Sequence, residues 1–69
     1  MTAVTLNGSL RDLPAGATVE TAVEEAGAPG GDRGVAVAVD GEVVPQGSWQ
    51  SIELRDGQEV EVVRAVQGG

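Results

Sequence analysis

Side chains able to make or break covalent bonds are almost missing from this chain. It has no His, Cys or Tyr and, because four Arg are its whole basic complement, no Lys. Without them there is no ordinary nucleophile–base pair, no Schiff-base amine and no transition-metal ligand set. A stand-alone enzyme is therefore not expected, and neither is a bound cofactor or metal. What remains is the chain end, Val66-Gln67-Gly68-Gly69. Two residues without side chains can lie extended in a slot too narrow for any Cβ, and glycine tolerates φ values that other residues avoid. Four residues beyond a strand reach about 13 Å at ~3.3 Å each, enough to thread the Gly69 carboxylate into a neighbouring protein. On residue chemistry alone this ending is either a tether presenting a carboxylate or a frayed terminus.

The body behind that ending is small and acidic. Sixty-nine residues make one domain, expected over 1–65, with 66–69 as a flexible tail. Eleven Asp and Glu against four Arg leave a net charge of -7, which repels nucleic-acid phosphates and anionic membranes. No basic start leads into an apolar run, and no stretch approaches the ~20 apolar residues of a membrane span. A cytoplasmic protein is expected. With neither disulfide nor zinc clip available, stability must come from packing around a thin core.

The elements that must hold the tail are legible in order. Ala3-Val4-Thr5-Leu6, Asn7-Gly8 and Ser9-Leu10-Arg11-Asp12-Leu13 make a β-hairpin, Asn-Gly supplying the two φ > 0 residues of a type I′ turn. Thr18 then caps a helix over 19–26, in which Val19, Ala22, Val23 and Ala26 recur at i, i+3, i+4, i+7 and Gly27 and Pro29 end it. The alternating Val35-Ala36-Val37-Ala38-Val39 predicts a central strand ended by Asp40-Gly41. Glu42-Val43-Val44 is a short strand or a turn, and 45–51 is irregular around Trp49. After Ile52-Glu53-Leu54 and a turn at Asp56-Gly57, a last strand runs from about 58 to 65, with Val60 and Val62 on one face and Glu59 and Glu61 on the other. The order, ββαββ, predicts an α+β domain: a ubiquitin-like β-grasp with a mixed sheet packed on one helix. Parallel pairing of the first and last strands is expected only by analogy with that fold. Val4, Leu6, Val23, Val37, Val60 and Val62 are the predicted core.

Over nearly its whole length the sequence resembles the ThiS family, the ubiquitin-like sulfur carriers of thiamin thiazole biosynthesis. The resemblance rests on Leu6-Asn7-Gly8, Gly16-Ala17-Thr18-Val19, the strand at 35–39, Val44-Pro45 with Trp49 four residues on, Asp56-Gly57 and Val66-Gln67-Gly68-Gly69. Only the terminal pair is chemically specific; the other segments are packing and turns. The chain departs from the pattern in lacking Lys and core aromatics, which bears on stability rather than chemistry. The resemblance implies that Gly69 is the activated terminus and that Gly68, Gln67 and Val66 thread into partner active sites. It implies three partners: a ThiF- or MoeB-like adenylyltransferase using ATP and Mg²⁺, a persulfide donor such as a cysteine desulfurase, and thiazole synthase. The alternatives are the small subunit of molybdopterin synthase, a carrier for another sulfur pathway, and a non-catalytic ubiquitin-like interaction domain.

Other residues have plainer readings. Trp49, the sole aromatic, is expected to close the core from its loop rather than to anchor a partner. Glu59, Glu61, Glu42 and Asp40 form either a basic partner's docking face or a solvated sheet surface. Gly30-Gly31-Asp32-Arg33-Gly34 lacks the Lys-Ser/Thr ending of a phosphate loop and is a connector. A phosphopantetheine carrier would need its Ser at the head of a helix, whereas Ser9, Ser48 and Ser51 lie in a hairpin and a loop.

Overall fold

The computed structural model describes residues 1–27 and 34–64. The connector at 30–33, Ala65 at the expected end of the last strand, and the tail residues Val66, Gln67, Gly68 and Gly69 lie outside the described residues.

Five strands and one helix are formed: β1 (Thr2–Leu6), β2 (Ser9–Leu13), α1 (Val19–Glu25), β3 (Val35–Val39), β4 (Glu42–Val44) and β5 (Glu59–Arg64), with a 3₁₀ turn at Gln46–Ser48 between β4 and β5. They make one sheet in the order β2-β1-β5-β3-β4. The β1–β2, β3–β4 and β3–β5 pairs are antiparallel, and β1–β5 is parallel. This is the ubiquitin-like β-grasp, with its last strand in the middle of the sheet. Glu42-Val43-Val44, readable as strand or turn, is a strand because Val44 and Val43 pair with Val37 and Ala38.

Two of the turns obey local sterics. Asn7 and Gly8 have φ of 50° and 85°, and Asp40 and Gly41 have 50° and 86°, the positive pair required by the type I′ turn that matches strand twist. The helix is only seven residues long, too short to persist alone in water. The Thr18 N–H donates to Thr21 Oγ1 (3.1 Å) at its start. Two further N–H groups of its first turn are bonded from outside, Val19 to the Ile52 carbonyl (3.0 Å) and Glu20 to the Trp49 carbonyl (3.1 Å). Ala26, expected inside the helix, is its C-cap.

The core lies between α1 and one sheet face. Val4, Leu13, Val19, Val37 and Val60 are its largest fully buried side chains, each worth roughly 1.5–3 kcal/mol on burial. Trp49 is 4% exposed and joins them, its Nε1–H donating to the Val44 carbonyl at 3.0 Å. Of the predicted core, Val62 is the exception. It is only partly buried and packs against the cluster from outside, because it lies towards the open end of β5, beyond the last paired residue of β1.

Candidate functional site

The tail continues from β5, so its root is set by whatever holds that strand. At the incoming end, Asp40 uses its left-handed backbone to turn its carboxylate onto β5: Oδ1 accepts from the Glu59 N–H (2.9 Å), while the Asp40 N–H donates to the Glu59 carbonyl (2.8 Å). Asp40 is therefore occupied within the fold and does not belong to a free acidic face. Along β1, Thr5 and Asn7 donate to the carbonyls of Gln58 and Val60, both at 2.9 Å, the evenly spaced ladder of a parallel pair.

Beyond Leu6 the β1 backbone turns away into the hairpin, leaving β5 without a backbone acceptor on that side. Asn7 supplies one with its side chain, Oδ1 accepting from the Val62 N–H at 2.8 Å. One residue thus makes the turn and also extends the ladder towards the tail. On the other side, Val62, Val63 and Arg64 pair with Val37, Ala36 and Val35. Arg64, the last described residue, donates from Nη2 to the Gly27 carbonyl (3.3 Å). A cation there suits the negative end of the helix dipole, and α1 has no basic residue of its own in its last turn.

The sheet thus delivers the chain to residue 65 at one defined place, between the helix C-terminus and the start of β3. Val66, Gln67, Gly68 and Gly69, the residues singled out for chemistry, all follow that point and lie outside the described residues. The sequence alone did not single out Asn7 or Arg64 as positioning residues. Asn7-Gly8 carried only the turn signal, and an Arg near a strand end carries none.

The family model of the ThiS family matches residues 4–69, from the first buried valine of β1 through the terminal glycine pair. The chain belongs to the ThiS family. A thiazole synthase of Paramagnetospirillum magneticum is 36% identical over 64 residues, which are 93% of this chain but 19% of the relative. The chain thus spans about a fifth of that relative's length. The crystal structure of a thiamine biosynthesis protein (ThiS) from Geobacter metallireducens superposes with a TM-score of 0.74, covering 99% of this chain and 100% of that one at 21% identity. At that identity the likeness is one of fold, and it places this ThiS-family member among the β-grasp proteins. Among the described residues, no helix is long and apolar enough to cross a membrane.

Proposed function

We propose that this chain is a sulfur carrier of thiamin thiazole biosynthesis, a protein cosubstrate rather than a catalyst, whose reactive group is the Gly69 carboxylate. The observation that carries the proposal is the family match, which runs unbroken from residue 4 to Gly69 and includes the glycine pair. A carboxylate is a poor electrophile because it is already anionic, so it must first acquire a leaving group. A ThiF- or MoeB-like adenylyltransferase supplies one: the carboxylate oxygen attacks the α-phosphorus of ATP, pyrophosphate leaves, and the partner's Mg²⁺ and cations stabilise the phosphate charge. The terminal sulfur of a persulfide, formed by an enzyme such as a cysteine desulfurase, then bonds to the acyl carbon as AMP departs. A thiol cleaves the remaining S–S bond, leaving a thiocarboxylate on Gly69. This chain contributes reach and slenderness. Val66, Gln67 and Gly68 thread the terminus into each active site, and the lack of Cys keeps the carrier from trapping itself as a mixed disulfide.

The relative named thiazole synthase, within which the matching segment is 19% of the chain, favours the thiazole branch over the molybdopterin branch and makes thiazole synthase the acceptor. All these steps are expected in the cytoplasm. Intact mass spectrometry of the protein isolated from its native host should show one oxygen replaced by sulfur at the C-terminus. Deleting the gene should create a requirement for the thiazole moiety of thiamin while molybdenum-enzyme activity persists. Loss of molybdenum-enzyme activity without that requirement would assign the chain to the molybdopterin branch. A chain lacking Gly69 that still supported sulfur transfer would replace the carrier reading with a pure interaction domain.

A further inference from the structure

One sheet face packs on α1; the opposite face is bare among the described residues. Strand alternation and register place Leu10 and Asp12 of β2, Ala3 and Thr5 of β1, Glu59, Glu61 and Val63 of β5, Ala36 and Ala38 of β3, and Val43 of β4 on it. Leu10 and Val43 are each 75% exposed and Val63 is 59% exposed.

The strand residues of this face include three carboxylates and no cation. Of the cations on the sheet strands, Arg11 bonds Glu25 of α1 (3.4 Å) and Arg64 bonds the Gly27 carbonyl, so both turn to the helix side. One carboxylate stands among apolar neighbours. Glu61 lies directly across from Ala38, which in turn faces Val43, and two residues along β5 is Val63, across from Ala36. Val63 is also two residues before the tail begins.

Resting on the sulfur-carrier reading, we propose that this outer face, centred on Glu61, is the surface by which the chain docks on its adenylating enzyme, and that the enzyme meets it with an apolar surface carrying one Arg or Lys aimed at Glu61. Three observations fix the occupant. Residues 65–69 span at most about 17 Å at ~3.3–3.6 Å each, so an enzyme that takes in Gly69 must sit against the end of β5. At that end the helix side of Arg64 is occupied by Gly27, whereas the outer side offers exposed Val63 and Ala36. A second copy of this chain is a poor occupant, because it would set carboxylates against carboxylates at a net charge of -7 each. Once covered, Glu61 lies in an apolar surround, where a charge must be paired and where its reversal is far more damaging than at an exposed rim.

The test is ATP–pyrophosphate exchange by the purified adenylating enzyme of the same organism, with the full chain as the varied substrate. Glu61→Arg and Val63→Asp should each raise the KM for the carrier about tenfold or more and leave kcat close to wild type, because neither residue touches the acyl group. Glu24→Arg makes the same charge change as Glu61→Arg on exposed α1 and should move KM far less. Circular dichroism of each variant controls for folding. The docking face is overturned if Glu61→Arg and Glu24→Arg raise KM equally, which would reduce the effect to net charge. It is also overturned if Glu61→Arg and Val63→Asp leave KM unchanged, or if the wild-type chain proves to be a dimer through this face. A wild-type chain that supports no exchange overturns the sulfur-carrier reading itself, and the docking face with it.

Discussion

Asn7 and Trp49 each perform two tasks that a single side-chain property would not reveal. Asn7 holds φ at 50° in the turn and accepts the Val62 N–H, so its replacements separate the two. Asn7→Ala loses the acceptor and puts a Cβ-bearing residue that lacks a compensating polar group in the left-handed region; we expect a loss of about 2 kcal/mol. Asn7→Gly relieves the backbone but not the lost bond, and should cost about 1 kcal/mol, with Asn7→Asp least disruptive because an acceptor remains. Urea unfolding followed by Trp49 fluorescence should return that order; equal losses for Ala and Gly would mean that the backbone conformation carries no cost. Trp49 fills the core, bonds Val44 through Nε1 and accepts from Glu20 N–H through its carbonyl. Trp49→Ala should cost about 3–5 kcal/mol, measured by far-ultraviolet circular dichroism since the fluorophore is gone. At the chain end the expectation is different in kind. Gly68→Ala should leave unfolding unchanged and impair adenylation, through a Cβ in a narrow channel of the partner.

At the scale of elements, α1 and the segment 49–54 depend on each other. A seven-residue helix has little intrinsic stability, and two of its first-turn donors are satisfied by carbonyls of Trp49 and Ile52. The Leu54 N–H returns to the Ala17 carbonyl at 2.8 Å, and Glu53 bridges Thr18, so the segment is stitched on both sides of the helix start. The amides of Val19 and Glu20, normally the fast-exchanging end of a helix, should therefore be protected from hydrogen exchange to the same degree as buried Val23. Rapid exchange at Val19 and Glu20 alongside slow exchange at Val23 would mean that 49–54 opens independently of the helix. The edges of the sheet are blunted in different ways. β4 is three residues long and followed by Pro45, and β2 carries Arg11 and Asp12, which discourages strand addition at either side.

For the whole molecule the dominant quantity is charge. At a net -7 on a body this small, self-repulsion opposes folding, while attraction to a cationic partner favours docking, and salt screens both. Raising sodium chloride should therefore raise the thermal midpoint of the free chain and, in the same range, raise the KM for the adenylating enzyme. Opposite signs for the two effects of one variable are the signature of charge acting at molecular scale. If salt left KM unaltered, the contact with the enzyme would be apolar alone.

What the sequence by itself determined is what local sterics and periodicity govern. Asn7-Gly8 and Asp40-Gly41 sit at positive φ because Asn, Asp and Gly tolerate it. The valines of 35–39 alternate with the sheet pleat, Thr18 begins the helix, and the glycine pair ends the chain whatever the fold does. The tertiary structure alone decided the parallel union of β1 with β5, which joins Leu6 to Val60 across a separation that leaves no signature in either segment. From that union came the rest of what was not legible: the side chain of Asn7 completing the ladder of β5, the carboxylate of Asp40 withdrawn from the acidic surface, and Val62 left half-buried past the end of β1. The reason is common to all three. A turn or a helix start is chosen by residues within a few positions of one another, whereas a hydrogen bond between residues 7 and 62 exists only after the hydrophobic face of every intervening element has been buried.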